Sequence, residues 1–148
     1  MVVAASVSPV DVLRKSKTIA VVGASRNEGK EAYSVPRYLK DRGYRIIPIN
    51  PSAQEILEEK AYPSLLELPE QVGREVDVVE VFRPSSELPQ VALQAVEMKK
   101  RFGRPYFFWA QLGLENEEAK KILEGSGIQY VMNACMRTVH RTNFTETA

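Results

Sequence analysis

Five short segments of the chain are almost wholly apolar, and helix-like segments separate them. The apolar segments are Thr18–Val22, Arg45–Ile49 and residues 76–82, 106–109 and 128–132. A strand with one face in water alternates apolar and polar residues, whereas a strand of a parallel sheet covered on both sides is apolar throughout. The pattern therefore predicts an α/β domain with a mainly parallel five-stranded sheet, right-handed crossovers and helices on both faces.

Helix signals fill the intervals between the strands. The predicted helices are Pro9–Lys15 with Ser8 as N-cap, residues 35–42 with Ser34 as N-cap, residues 86–102, and a helix to residue 124 capped by Asn116. A further helical turn is predicted at residues 54–59, where the acidic side chains are interpreted as a solvated face. The apolar stripe of the longest helix is interpreted as core.

Chain length and composition limit the classes of function. The 148 residues predict one domain, residues 1–148, with flexible ends at 1–8 and 142–148. A formal net charge of +1 argues against nucleic acid as a partner, and no apolar run approaches the roughly 20 residues that cross a membrane. Cys135 is the single cysteine, which forms no internal disulfide and favours a cytoplasmic location.

Ligands of open α/β sheets bind beyond the carboxyl ends of the strands, near the point where strand order reverses. The residues directly after each predicted strand are therefore the candidate site. They are residues 23–30, 50–51, 83–84, 111–113 and 133–135.

The loop after the first strand, GASRNEGKE, resembles two phosphate-binding patterns without matching either. The dinucleotide fingerprint requires G-x-G-x-x-G and an acid after the second strand. Here Gly29 is the only other glycine of the loop, and Asn50 and Pro51 occupy the position of the acid. A nicotinamide-dependent oxidoreductase is consequently kept only as an alternative.

The P-loop pattern also fails in this loop. Five residues instead of four separate Gly23 from Gly29, and Lys30 is followed by Glu31 instead of a hydroxyl residue. Two interpretations remain. One is a more general anion site, in which the Gly-Ala-Ser turn and a helix start near Ser34 supply amide groups; the other is an ordinary strand-to-helix loop with solvated charges.

Taken in order, the strand-end residues resemble the small CoA-binding protein family, which is related to the CoA-binding domain of the succinyl-CoA synthetase alpha subunit. The matching stretches are VVGAS at 21–25, IPINP at 47–51, YPSLLELP at 62–69, VVEVFRP at 78–84, WAQLGLENEEA at 109–119 and NACMRTVHR at 133–141. The resemblance implies a Rossmann-like, doubly wound domain that binds coenzyme A or an acyl-CoA at the carboxyl edge of its sheet.

The resemblance also implies a role for individual residues. Those implied to contact the pyrophosphate or adenosine are Gly23, Ala24, Ser25, Ser34, Asn50, Pro51, Phe82, Arg83 and Pro84. Those implied along the pantetheine arm and at its thiol end are Gln111, Leu112, Gly113, Asn133 and Cys135. Relatives tend to have Asp-Arg-Cys in the last motif, where this chain has Asn133-Ala134-Cys135.

The side-chain chemistry agrees with a polyanionic ligand. Arg83 is suited to bidentate phosphate contact, and Arg26 and Lys30 are further cationic candidates. Phe82 is a candidate wall for adenine, and Gln111 a candidate partner for a pantetheine amide.

No pair of a base and a nucleophile stands out in the sequence, so the chain is predicted to bind without catalysing a reaction alone. His140 is the single histidine, which excludes a multi-histidine metal site, and it is interpreted as a surface residue or a phosphate neighbour. Cys135 is interpreted as a buried cysteine, with a reactive role as the alternative. A further alternative is the CoA-binding subunit of a multi-chain acyl-CoA ligase, with a partner chain that brings the missing parts.

Overall fold

The computed structural model describes residues 2–144. Its strands are β1 (Ala4–Ala5), β2 (Thr18–Val22), β3 (Arg45–Ile49), β4 (Glu55–Ile56), β5 (Glu59–Lys60), β6 (Val78–Val81), β7 (Phe107–Ala110) and β8 (Gln129–Met132). Its α-helices are α1 (Pro9–Lys15), α2 (Glu31–Asp41), α3 (Glu70–Gly73), α4 (Leu88–Phe102), α5 (Glu117–Glu124) and α6 (Met136–Asn143). Single 3₁₀ turns lie at Leu65–Glu67 and Ser85–Glu87.

The main sheet has the strand order β1-β8-β7-β6-β2-β3, with parallel pairing throughout except for β1. The five predicted strands are all present, and the predicted α/β class with a mainly parallel Rossmann-like sheet is confirmed. The sixth strand, β1, comes from the segment predicted to be a flexible end, and it pairs antiparallel with β8. Strand order reverses between β2 and β6, so the loops that follow these two strands flank the expected ligand position.

Helices cover both faces of the sheet. On one face α4 and α5 pack against the side chains that β6 and β7 direct toward them, such as Val79 and Phe108. On the other face α1, α2 and α6 pack against Ile19, Val78 and Trp109. These side chains are fully buried, and each contributes roughly 1.5–3 kcal/mol through removal of its apolar surface from water. The predicted core stripe of α4 and the core position of Trp109 are confirmed.

Two predicted elements are wrong in position or type. Helix α2 begins at Glu31, four residues before the predicted start, and its N-cap is Lys30. Ser34 therefore lies inside the helix and caps nothing.

The predicted helical turn at residues 54–59 is wrong, because residues 55–60 form a hairpin of β4 and β5. Its two central residues, Leu57 and Glu58, both have positive φ, as a tight hairpin turn requires. Neither residue is a glycine or asparagine, which is why the sequence shows no turn signal. Leu57 is buried, and the Lys40 ammonium donates to its carbonyl and pairs with Glu58, so tertiary contacts hold the turn.

The last helix of the described residues, α6, is not predicted from the sequence. His140 of α6 is buried, not on the surface, because the helix packs against α1 and α2. Its ring stacks on Phe144, and its Nδ1 lies 3.0 Å from the Tyr38 hydroxyl. The predicted flexible end thus overlaps α6 at residues 142–143, while residues 145–148 lie outside the described residues. No helix within residues 2–144 combines the length and apolar character needed to cross a membrane.

Candidate functional site

Two cavities lie side by side at the carboxyl ends of the parallel strands. The loop cavity, about 520 Å³, is lined by the residues after β2 and β3, including Gly23. The cysteine cavity, about 680 Å³, is lined by residues after β7 and by the start of α6, including Cys135. Both cavities touch Lys30, Phe82 and Arg83, so together they form one groove across the point where strand order reverses.

Most residues predicted for the site line this groove. The loop cavity contacts Gly23, Ala24, Ser25, Lys30, Asn50, Pro51, Phe82 and Arg83. The cysteine cavity contacts Lys30, Phe82, Arg83, Pro84, Gln111, Leu112 and Cys135. Residues from five separate stretches of the chain are thereby brought together at one edge of the sheet.

Four predicted residues do not line either cavity. Arg26 is exposed on the loop, and the Ser34 hydroxyl accepts a hydrogen bond from Arg137 at 3.3 Å. The Gly113 N–H donates to the Asn133 side-chain oxygen at 2.7 Å, and the Asn133 amide donates to the carbonyl of Val2 at 3.0 Å. Asn133 and Gly113 therefore connect the loop after β7 to the chain start.

Gly23 is the point at which the backbone turns out of β2. Its φ is +86°, and its N–H donates to the Ile49 carbonyl at 3.1 Å. A Cβ at this position would lie 2.6 Å from the Phe82 carbonyl oxygen. Only glycine allows the chain to turn this closely against the end of β6.

The loop after Gly23 is held by its own hydrogen bonds. The Asn27 N–H donates to the Ser25 hydroxyl at 3.0 Å, and the Gly29 N–H to the Asn27 side chain at 2.9 Å. The Ser25 N–H donates to the Ala32 carbonyl at 3.2 Å. That carbonyl is available because its usual partner in α2 would be Pro36, which has no N–H. The Ser25 hydroxyl is thus engaged within the loop, and the Ser25 amide is engaged with the first turn of α2.

Asn50 fixes the position of the neighbouring loop. Its side-chain amide donates to the Ala24 carbonyl at 2.8 Å, and its side-chain oxygen accepts from the backbone N–H groups of Ser52 and Ala53 at 2.7 and 3.0 Å. The residue that stands in the place of the expected acid is therefore a structural connection between the ends of β2 and β3.

Asn50→Ala is expected to lower the free energy of unfolding by about 1–3 kcal/mol, because it removes all three hydrogen bonds and leaves backbone groups without partners. Asn50→Asp keeps the two accepted bonds and should cost less. Urea denaturation of the three proteins measures the difference, and an alanine variant as stable as the wild type would contradict this role.

Arg83 stands where the two cavities meet. Its guanidinium forms two hydrogen bonds to the Glu87 carboxylate, at 3.1 and 3.0 Å, and both side chains are substantially exposed to solvent. An exposed pair of this kind contributes little to stability, so Arg83 is available to a stronger anion at low cost.

Gln111 and Cys135 sit at the start of α6. The Gln111 side-chain oxygen accepts the Met136 N–H at 3.0 Å, and Cys135 is the N-cap residue. Partial burial pushes the pKa of the Cys135 thiol up. Hydrogen bonds from Thr138, Gln111 and the Arg137 backbone outweigh burial, so that the net pKa is below the ordinary value.

Arg137 and Glu80 are among the residues of this region that are not predicted from the sequence. Arg137 lines the cysteine cavity, where its guanidinium donates to Ser34 and Glu31 at 3.3 and 3.1 Å. Its Nε has no hydrogen-bond partner within the described part of the chain. The missed helix α6 is the reason that Arg137 is missed, since only the helix turns its side chain toward α2.

Glu80 is the second missed residue, and it lies on β6 two positions before Phe82. Its side chain is fully buried, and neither carboxylate oxygen has a hydrogen-bond partner among residues 2–144. Burial, and then repulsion from Cys135, raise the pKa of Glu80 well above the ordinary range, which favours its neutral form. An acid within the apolar stretch VVEVF is the sequence signal for such a residue.

The sheet order and the groove at its carboxyl edge define a Rossmann-like α/β ligand-binding domain. The chain matches the family model described as CoA binding domain over residues 17–141, and it belongs to that family.

Known proteins support this assignment. The chain is 39% identical over 130 residues to the uncharacterized protein YneT of Bacillus subtilis, and the match covers 88% of this chain and 90% of YneT. It is 37% identical over 87 residues to the alpha subunit of the ADP-forming acetate–CoA ligase I of Pyrococcus furiosus, covering 55% of this chain and 18% of that subunit. A solved structure from Thermus thermophilus has a TM-score of 0.81 and 35% identity, and the match covers 93% of this chain and 100% of that one.

Proposed function

We propose that this chain binds coenzyme A or an acyl-CoA in the groove, with the adenosine diphosphate half in the loop cavity and the pantetheine arm in the cysteine cavity. The observation that carries the proposal is that the two cavities meet at Arg83 and Lys30, directly over the switch point of the sheet. The pyrophosphate, which joins the two halves of coenzyme A, would lie beside these cations.

The loop cavity is lined by more polar side chains than the cysteine cavity, and the adenosine diphosphate half of coenzyme A is likewise more polar than the pantetheine arm. The loop cavity includes the amide side chains of Gln90 and Gln94, which suit a base and a ribose. The cysteine cavity includes Pro84, Leu112 and Leu114, which suit the hydrocarbon parts of the pantetheine arm. Phe82 borders both and would separate the two parts of the ligand.

Donors for the pyrophosphate would come from the start of α2. Lys30 and Ala32, on either side of the first helical residue, line both cavities. Amide groups at a helix start carry partial positive charge and favour anions. The amide donors would therefore come from the first turn of α2, at Glu31 instead of the predicted Ser34, since the Ser25 amide already donates to Ala32.

The proposed role is binding without catalysis by this chain alone, in the cytoplasm. The single histidine, His140, is buried with Tyr38 and Phe144 and lines neither cavity. A second candidate role is a subunit that presents coenzyme A to a partner chain, which the resemblance to a ligase alpha subunit favours. Affinity purification from the native cells, with mass spectrometry of co-purifying chains, separates the two roles.

Isothermal titration with coenzyme A, dephospho-CoA, NAD and ATP at one salt concentration tests the proposal. We expect coenzyme A to bind most tightly and dephospho-CoA more weakly, because it lacks the 3′-phosphate. Tighter binding of NAD would reject the proposal in favour of the oxidoreductase alternative.

Arg83→Ala is expected to weaken coenzyme A binding by about 1.5–3 kcal/mol, the usual contribution of a hydrogen bond to a charged group. Arg74→Ala is the matched control, because Arg74 also pairs with a glutamate four residues away, Glu70, and lines neither cavity. Calorimetric titration of both variants is the measurement. If the two variants bound coenzyme A with equal affinity, Arg83 would not contact the ligand.

A further inference from the structure

Cys135, the single cysteine of the chain, lies between a cavity and the apolar core. It lines the cysteine cavity while it also packs against the apolar layer beneath that cavity. It is the N-cap residue of α6, so its sulfur lies at the positive end of an eight-residue helix. A cysteine at a helix start is more reactive than one in an apolar core, because the thiolate is stabilised there.

Glu80 provides a second observation, on the pair of strands that the segment before Cys135 contacts. Glu80 pairs in register with Trp109 of β7, and both side chains belong to the face covered by α1, α2 and α6. The Trp109 indole donates to the carbonyl of Ala134 at 2.8 Å, so the residue just before Cys135 is fixed against this strand pair. Glu80 is fully buried, and within residues 2–144 no donor contacts its carboxylate.

The two groups interact electrostatically. The charge of Cys135 is the second cause, after burial, that raises the pKa of Glu80. A buried carboxyl group that keeps its proton places no negative charge near the sulfur. A neutral Glu80 therefore does not destabilise the thiolate form of Cys135. The hydrogen bonds at the start of α6 stabilise that thiolate.

We propose that Cys135 is a site of reversible covalent modification, which forms a mixed disulfide with the thiol end of coenzyme A bound in the cysteine cavity. This inference rests on the proposed function, because the ligand must place its sulfur beside Cys135. The class of reactant is a coenzyme A disulfide, either symmetric or mixed with a small thiol.

The step is a thiol–disulfide exchange. The Cys135 thiolate attacks the sulfur of the bound coenzyme A, the original S–S bond breaks, and a new S–S bond joins Cys135 to that coenzyme A. The released thiolate takes up the proton that Cys135 lost. One disulfide is consumed and one is formed, so no further oxidant is needed, and a free thiol reverses the reaction.

Intact-mass spectrometry of the purified chain tests the inference, because Cys135 is its single cysteine. With symmetric coenzyme A disulfide we expect one adduct with the mass of coenzyme A less two hydrogen atoms, removed by dithiothreitol. The adduct should form at least about tenfold faster than the one from oxidised glutathione, because binding raises the local concentration of the reacting disulfide. Cys135→Ser should form no adduct.

Desulfo-CoA, which lacks the reacting sulfur, is the matched competitor. An excess should slow the reaction with coenzyme A disulfide and leave the reaction with oxidised glutathione unchanged. If coenzyme A binds in the calorimeter but its disulfide reacts no faster than oxidised glutathione, the inference is overturned and the proposed function stands. If coenzyme A does not bind, the proposed function fails and the inference fails with it.

Discussion

Gly23→Ala is expected to lower the free energy of unfolding by about 3 kcal/mol or more, the sum of a strained backbone and an overpacked contact. The backbone at Gly23 has φ +86°, and an added Cβ would lie 2.6 Å from the carbonyl oxygen of Phe82. A backbone atom cannot move aside as the end of a side chain can. Relief would require β2 and β6 to separate at the floor of the groove.

Gly43→Ala is the matched control for this substitution. Gly43 has φ +97°, and an added Cβ there would meet no atom within 4 Å among the described residues. It should therefore show only the cost of the left-handed backbone, about 1–2 kcal/mol. Urea denaturation of both variants measures the difference, and titration with coenzyme A shows whether only the first loses binding. Equal losses of stability would contradict the close approach at Gly23.

Glu80→Gln is expected to change how stability depends on pH. Below pH about 4.3, the usual pKa of glutamate, the carboxyl group is protonated in both the folded and the unfolded chain. Above that pH the unfolded chain releases the proton and the folded chain keeps it, because burial raises the pKa of Glu80. The wild type therefore loses about 1.4 kcal/mol of stability per pH unit from this residue, up to its folded pKa. Glutamine does not ionise and removes this loss.

Denaturation of the wild type and Glu80→Gln across the range from about pH 4 to about pH 8 measures this effect. The variant should gain stability relative to the wild type as pH rises, with the gap levelling off above the folded pKa. Glu97→Gln is the control: Glu97 is an exposed residue of α4, and its substitution leaves Glu80 in place. Its curve should keep the wild-type slope. Parallel curves for the wild type and Glu80→Gln would show that Glu80 ionises freely in the folded chain.

The sequence is sufficient to predict the five parallel strands and the edge at which a ligand would bind, because burial on both faces leaves a strong apolar signal. It is insufficient for the hairpin around Leu57, since the positive φ of that residue is imposed by contacts with α2 and not by local preference. The start of α2 is also not predicted, because Lys30 caps the helix with its backbone alone and its side chain gives no capping signal.

In the candidate site, the sequence likewise predicts which residues are present but not what their side chains contact. The sequence identifies Asn50 and Gln111 as strand-end residues, but their side chains hold neighbouring backbone groups in place. Whether a polar side chain stabilises the fold or faces a cavity depends on hydrogen-bond partners that are distant in the sequence. Arg137 illustrates the converse, since it approaches Ser34 only through the packing of α6 on α2.

Pro36, which lies inside α2, limits how this domain could be stabilised by redesign. Proline within a helix usually costs about 3 kcal/mol relative to alanine, which makes it an obvious target for replacement. Here the vacant acceptor that Pro36 leaves on Ala32 is taken by Ser25. The N–H of an alanine at position 36 would compete for that acceptor, so a more regular helix would weaken the hydrogen bond that anchors the loop after β2.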